Sequence, residues 1–78
     1  MSKQPVLTLD TVGSRCPVPI IELARHINEV PIGAVVAVIS DDVAARIDIQ
    51  AWCRMREQRY VGECSADVGV TYLVERTN

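Results

Sequence analysis

The run AVVAVIS, residues 34–40, is the feature that most restricts how this chain can fold. It is a continuous apolar, largely β-branched segment without alternation, which is typical of a strand buried on both faces of a sheet. A chain of 78 residues without phenylalanine must cover that strand with Ile, Val, Leu and Ala side chains. The run therefore predicts one small α/β domain, residues 1–78, with this strand at its centre.

The segments before this strand predict another strand and a helix. Residues 5–9 alternate apolar and other side chains, as in a short strand, and residues 10–15 have the Asp, Gly and Ser typical of a loop. An amphipathic helix of about four turns follows, and residues 31–33, Pro-Ile-Gly, end it. Its apolar face consists of Ile20, Leu23, Ala24, Ile27 and Val30.

The segment after the central strand predicts a second helix with two possible starts. Asp41 or Asp42 could cap it, or Asp48 could cap a helix that begins at Ile49, because Asp is a favoured N-cap residue. We favour Asp48, with residues 43–47 forming a looser helical turn. One face of this helix carries Ile49, Trp52, Cys53 and Arg56, and its C-terminal end carries the cations Arg54, Arg56 and Arg59.

The last third of the chain predicts a hairpin. Residues 59–66 and 70–76 are β-rich and flank residues 67–69, Asp-Val-Gly, in which the glycine can take a positive φ. The element order is then βαβαββ. Right-handed crossovers place both helices on one face of a four-stranded mixed sheet, which is a two-layer α/β sandwich.

Composition and spacing exclude several functions. The net charge of −2, from eight basic and ten acidic residues that are well mixed, argues against direct nucleic-acid binding. Three widely spaced cysteines without a CxxC pair predict neither a metal site nor a disulfide framework. No apolar stretch is long enough for a signal peptide or a membrane span, so we expect a cytoplasmic protein without a membrane partner.

The motif RCPVP, residues 15–19, predicts a rigid helix start beside a cysteine. If Cys16 is the N-cap, Pro17 takes the first helical position, which proline prefers because its missing N–H would have no helical partner. Pro19 then lies at the third position, where no helical hydrogen bond is lost. Val18 precedes a proline and must still be helical, which is a modest local strain.

This placement predicts a reactive thiol. The helix N-terminus carries partial positive charge, and the N–H groups of Val18 and Ile20 could point toward an anion. Arg15 adds a neighbouring cation. Together these lower the pKa expected for the Cys16 thiol. A cysteine before proline can also be inert, and on residues alone the two alternatives are about equally supported.

The other titratable residues do not form a hydrolase site. His26 lies ten residues further along the same helix, about 15 Å away, so it cannot be the base for Cys16; we expect it to be solvated. Cys53 and Cys64 are expected to be packed core thiols. What is left is a lone activated thiolate, which is suited to accepting and passing on a group by exchange at sulfur.

Two segments are similar to the signature of the TusA/SirA-like sulfur-carrier family. LDTVGSRCPVP, residues 9–19, has Leu-Asp, a glycine and Cys-Pro-x-Pro in the family's order, and SDDVAARIDIQAWC, residues 40–53, has paired acids, Asp-Ile and an aromatic–Cys pair. The likeness covers nearly the whole chain and implies the βαβαββ sandwich. It departs from the family at Val43, where many relatives have proline, and at residues 56–60, Arg-Glu-Gln-Arg-Tyr.

The resemblance implies a sulfur carrier, with Cys16 holding sulfane sulfur as a persulfide and no other cofactor. It implies a donor of the cysteine desulfurase or rhodanese type and an acceptor in tRNA thiolation, molybdenum-cofactor synthesis or sulfur oxidation. The alternative is a non-catalytic regulatory or interaction module on the same fold, and we expect a monomer. The residues expected to support Cys16 are Arg15, Pro17, Val18, Pro19, Asp10 and Gly13, and the candidates for docking a partner are Asp41, Asp42, Arg54, Arg56 and Arg59.

Overall fold

The structure, a computed structural model, describes residues 4–78 and has the predicted order of elements. The run at residues 34–40 forms a strand whose side chains are nearly all buried, as predicted. The elements are β1 (Pro5–Asp10), α1 (Val18–His26) with a short 3-10 turn (Ile27–Glu29), β2 (Val35–Ser40), α2 (Ala45–Arg56), β3 (Arg59–Ser65) and β4 (Val70–Glu75).

The four strands form one mixed sheet in the order β1-β2-β4-β3. β2 is parallel to β1 and antiparallel to β4, and β4 is antiparallel to β3. β1, β2 and β3 therefore run in the same direction. The β1–α1 loop, the β2–α2 loop and the β3–β4 turn all meet at one end of the sandwich, which we call the loop end. Both helices begin there.

The core lies between the helices and one face of the sheet, and it is aliphatic as predicted. The single tryptophan, Trp52, is only 6% exposed and packs with it. Ala24 of the predicted apolar face is exposed instead. The largest fully buried apolar side chains are Leu23, Ile49, Val36, Val38 and Val74.

The first helix is shorter than its periodicity predicts. α1 ends at His26, and the chain tightens into the 3-10 turn before Val30, whose φ of −107° and ψ of 153° are extended. Val30 precedes Pro31, and a residue before proline is driven out of the helical region. Val30 is nevertheless buried, so the apolar spacing serves the core without a continuous helix.

The predicted start of the second helix at Ile49 is wrong. α2 begins at Ala45, with Ala44 as an N-cap that makes no side-chain capping bond. The helix extends to Ala45 because this residue is fully buried with Ile49, one turn later on the same face. Asp42, which the pattern left open as a start, is close to the real one, since its Oδ1 accepts the N–H of Ala44 at 2.9 Å.

The two remaining cysteines differ from each other. Cys53 is buried in the core, as predicted, whereas Cys64 is exposed and its prediction as a core thiol is wrong. Cys64 lies on the edge strand β3 and pairs with Thr71 of β4. Its neighbour Glu63 accepts a hydrogen bond from Arg46 of α2. Successive strand residues point to opposite faces, so Cys64 faces away from the helices. Within residues 4–78, no helix is both long and apolar enough to cross a membrane.

Candidate functional site

The β1–α1 loop that carries Cys16 is tied to the neighbouring β2–α2 loop by hydrogen bonds. The Thr11 hydroxyl donates to the Ile39 carbonyl at 2.6 Å. The N–H of Gly13 donates to Asp41 Oδ1 at 3.1 Å, and the N–H of Cys16 donates to Asp42 Oδ2 at 2.8 Å. The position of this loop is therefore set by carboxylates 28 and 26 residues further along the chain, which is about the length of one βαβ unit.

The turn at Cys16 differs from the predicted helix cap. The Cys16–Pro17 peptide bond is cis, and the N–H of Val18 donates to the Arg15 carbonyl at 2.9 Å. Pro17 is the N-cap, Val18 is the first helical residue and Pro19 is the second. The assignment of Cys16 as N-cap is thus wrong, because a hydrogen-bonded turn from Arg15 to Val18 precedes the helix.

The same turn removes one of the two amides expected to face the sulfur. The N–H of Val18 is used by Arg15, and the first helical bond runs from Ile21 to the Pro17 carbonyl at 2.9 Å. Cys16 is partly buried and packs against the core cluster. The sulfur is therefore held at the edge of the core.

The thiol of Cys16 is harder to ionise than an ordinary cysteine thiol. Burial raises its pKa from 9.0 to about 12, and a hydrogen bond to Asp48 with the negative charges of Asp48 and Asp42 acts in the same direction. The predicted lowering of this pKa is wrong. That prediction considered the helix dipole and Arg15, whereas the tertiary structure adds partial burial and then the negative charges of two carboxylates.

Asp48 is the neighbour of Cys16 that the sequence interpretation missed. With α2 beginning at Ala45, Asp48 shares one helical face with three buried residues, Ala45, Ile49 and Trp52. Asp48 itself is partly exposed, and its negative charge is one of the influences that raise the pKa of the Cys16 thiol. The helical spacing of residues 45, 48, 49 and 52 already indicated that Asp48 shares this face. The assignment of Asp48 as a helix cap concealed that indication.

Asp42 links the start of α2 to the cysteine through both carboxylate oxygens. The N–H of Ala44 holds the pKa of Asp42 below its ordinary range, with further lowering from the N–H of Cys16 and the charge of Arg15. Asp42 is therefore ionised at neutral pH. Its negative charge is balanced by donors and by one guanidinium, and Arg15 is exposed at this edge.

The other predicted supporting residues lie around the same turn. Asp10 Oδ1 accepts the N–H of Val12 at 3.0 Å and so braces the loop. Gly13 has a φ of +88°, a conformation that favours glycine. Pro19 is buried, while Pro17 and Val18 are exposed. An open depression of about 350 Å³ beside this turn is lined by Gly13, Ser14, Arg15, Asp41, Asp42 and Val43.

The arginine candidates for docking do not join the site. Arg54 and Arg56 lie at the C-terminal end of α2, a helix of 12 residues that spans about 18 Å. Arg59 begins β3 and pairs with Glu75 at 3.6 Å. They are at the end of the sandwich opposite Cys16. His26 does not join the site either, and it binds Glu29, with Nδ1 2.8 Å from Oε1.

The carboxylates around Cys16 do not form a metal centre, since no group of His, Cys, Asp and Glu side chains in the described part of the chain could hold a metal ion. The site is therefore a single thiol, hydrogen-bonded and partly exposed at a strand–helix junction. A thiol at such a site can in principle take part in exchange at sulfur.

Comparison with known proteins identifies the family and the fold of this chain. A family model described as sulfurtransferase TusA matches residues 7–76. The crystal structure of a SirA-like protein from Desulfitobacterium hafniense superposes with a TM-score of 0.73 at 25% identity, covering 90% of this chain and 95% of that one. The matched range includes Cys16 and the loop that holds it. The chain belongs to the TusA sulfurtransferase family.

Proposed function

We propose that this protein is a sulfur carrier in which Cys16 holds sulfane sulfur as a persulfide between two partner proteins. The observation that carries the proposal is the position of Cys16. It lies in a short turn at the loop end, partly exposed, with its backbone anchored to Asp42 at 2.8 Å. A thiol presented on an anchored turn can meet another protein's cysteine, whereas Cys53 is buried.

Loading would be an exchange in which no net oxidation occurs. Sγ of Cys16 attacks the outer sulfur of a persulfide on the donor's cysteine. The new Cys16 Sγ–S bond forms, the donor's S–S bond breaks, and the donor leaves as a thiolate that takes the proton from Cys16. Delivery is the same step with an acceptor thiolate attacking the outer sulfur on Cys16. The exchange needs no cofactor beyond the carried sulfur.

The proposed partners are a sulfur donor of the cysteine desulfurase or rhodanese type and an acceptor of a cytoplasmic sulfur relay. Exposed aliphatic side chains near the start of α2 would contact them: Val43 is 95% exposed and Ile47 is 71% exposed. Asp41 and Asp42 lie beside these residues and would bind cations of the partner. A carrier that must dock on two different proteins is expected to be a monomer.

The experiment needs a background without Cys64, because an exposed thiol also collects sulfur without specificity. In Cys64→Ser protein, incubation with a cysteine desulfurase and cysteine, or with a rhodanese and thiosulfate, should add the mass of one sulfur to the intact chain. The added mass should be removed by dithiothreitol and absent from Cys16→Ser/Cys64→Ser protein. Labelling that persists in the double variant, or no labelling from either donor, would reject the proposal.

One observation favours a second function, a non-catalytic interaction module with an inert cysteine. Burial, followed by the neighbouring carboxylates, raises the pKa of the Cys16 thiol to about 12, so little thiolate is present at neutral pH and unassisted exchange is slow. This alternative expects Cys16→Ser protein to keep both its binding partners and its cellular phenotype. A complementation assay with wild-type and Cys16→Ser genes separates the two functions.

A further inference from the structure

The face of the sheet that points away from the helices is apolar, although no helix or strand of residues 4–78 covers it. Val36 and Val38 of β2 pack in the core with the helices. Val35, Ala37 and Ile39 alternate with them and therefore point to the opposite face. A sheet with one face in water usually carries polar side chains on that face. The central strand thus has the side chains of a strand covered on both sides, in a fold that covers only one.

The flanking strands extend this apolar surface. Val6 of β1 alternates with the core-packed Leu7 and is 62% exposed. Leu73 of β4 pairs with Ala37 and is half-buried. We call this surface the outer face, and it is formed by Val6, Val35, Ala37, Ile39 and Leu73. Removing such aliphatic surface from water is favourable, so the outer face can bind another apolar surface.

A depression of about 240 Å³ continues the outer face at the loop end. It has four aliphatic and two carboxylate side chains, which are Val12, Ile39, Ala66, Val68, Asp10 and Asp67. Ile39 belongs both to the depression and to the outer face, so the two are continuous. Val68 of the β3–β4 turn is 55% exposed. The depression therefore offers an aliphatic wall to a side chain that enters from solvent.

The two carboxylates give the depression a negative charge. Asp10 and Asp67 are both exposed, and neither forms a salt bridge with a cation of residues 4–78. A surface of this kind is complementary to a cationic one. A second copy of this chain, with its net charge of −2, lacks the cationic excess that this end of the outer face selects.

We propose that the outer face and its depression bind a partner protein through a segment that carries aliphatic side chains beside a lysine or arginine. The aliphatic side chains cover Ile39 and Val68, and the cation pairs with Asp67. This inference does not depend on the carrier function. Cys16 packs against the core cluster on the helix side of the sheet, so a partner on the outer face leaves the thiol free to react with another protein.

The first test uses two probe peptides of opposite charge, acetyl-Lys-Leu-Lys-Leu-Lys-amide and acetyl-Glu-Leu-Glu-Leu-Glu-amide. Each is titrated into the isotope-labelled full chain, and the amide chemical shifts are followed by NMR. The basic peptide should shift the amides of Ile39, Ala66 and Val68 until they saturate, and added salt should weaken this binding. The acidic peptide should give no saturable shift at these amides.

Three outcomes of this titration overturn the proposal. The first is that the basic peptide gives no saturable shift, or shifts only the helices. The second is that the two peptides bind equally, because the carboxylates then select nothing. The third is that the outer-face amides shift on dilution of the protein without peptide, because the occupant is then a second copy of the chain.

Two pairs of variants separate the charge from the apolar contact. Asp67→Asn should weaken binding of the basic peptide about two- to fivefold, as for one exposed ion pair, whereas Glu57→Gln, at the other end of the sandwich, should leave it unchanged. Val68→Ser should weaken it about three- to tenfold. The same change at Val43, which is 95% exposed before α2, should have no effect. Wild-type affinity of both turn variants, or a loss at Val43, overturns the proposal.

The second test asks whether the outer face and the thiol are separate. In Cys64→Ser protein, iodoacetamide should alkylate Cys16 at the same rate with and without saturating basic peptide. A Cys16 that the peptide protects would place the peptide over the thiol and would overturn the outer-face site.

This proposal and the carrier function fail in different ways. If the peptide binds the outer face but no donor loads Cys16, the docking surface stands and the carrier function is wrong. If sulfur loads on Cys16 but the peptide does not bind the outer face, the carrier function stands and the docking surface is wrong.

Discussion

The β3–β4 turn lies very close to the end of β2 and the start of the β2–α2 loop. A single methyl group added to this turn should therefore cause a measurable loss of stability. A Cβ added to Gly69 would overlap the Ser40 carbonyl oxygen and would lie 3.0 Å from the Cα of Asp41. Both are backbone atoms, so the turn or the end of β2 must move. Gly69 also has a φ of +80°, so Gly69→Ala carries a conformational cost as well as a steric one.

Gly13→Ala separates these two costs. Gly13 has a φ of +88°, but a Cβ there would meet nothing within 4 Å. The left-handed conformation should cost alanine about 1–2 kcal/mol at either position, and the overlap at Gly69 should add about 1–3 kcal/mol. We therefore expect Gly69→Ala to lower the free energy of unfolding by about 2–5 kcal/mol and Gly13→Ala by about 1–2 kcal/mol.

Urea unfolding measures this difference, with the fluorescence of Trp52 as the signal, since it is the single tryptophan and is buried. The steric argument also has a local readout. Ser40 and Asp41 directly precede Asp42, whose carboxylate holds the Cys16 amide at 2.8 Å, so Gly69→Ala should shift the amide resonance of Cys16. Equal losses of stability in the two variants would refute the close approach of the turn to β2.

Three further results are expected. Ile49→Ala, at a fully buried position, should lower the free energy of unfolding by about 2–5 kcal/mol in urea titrations, and a loss of less than 1 kcal/mol would mean that α2 is not packed as described. The pKa of His26 should lie above 6.5 in an NMR titration because of the hydrogen bond to Glu29. The ionised ring then stabilises the fold fully below pH 6.5, and this contribution disappears as the pH rises through the folded pKa. Glu29→Gln should lower that pKa, and an unchanged value would exclude the contact. Iodoacetamide at pH 8 should modify Cys64 first, Cys16 slowly and Cys53 only on unfolding, because Cys53 is buried and its pKa is raised to about 11; early labelling of Cys53 in peptide maps would contradict its burial.

The fold was largely predictable because its signals are local. The periodicity of Leu23 and Ile27, the buried run at residues 34–40 and the glycine turn of the hairpin each depend on neighbours in the chain. They predicted the element order, and the sheet with both helices on one face followed from general rules of connection. The TusA/SirA-like resemblance was confirmed by the family match over residues 7–76.

The errors arose where one segment's structure depends on another segment. The start of α2 was misplaced because Asp48 is a good cap by propensity, while burial of Ala45 favours an earlier start. Cys64 was assigned to the core because the sequence indicates a strand there but not which of its residues face the helices. The register that pairs Cys64 with Thr71 places its side chain on the outer face of the sheet.

The sequence by itself determined which cysteine stands at the first strand–helix junction, since Cys16 and the prolines at residues 17 and 19 are adjacent and act through the local backbone. Only the tertiary structure decided the charge state of its sulfur. The local view shows a helix end and Arg15, which favour a thiolate. Folding partly buries the sulfur and brings the negative charges of Asp48 and Asp42 near it, and burial followed by these charges raises the pKa of the thiol despite the helix end.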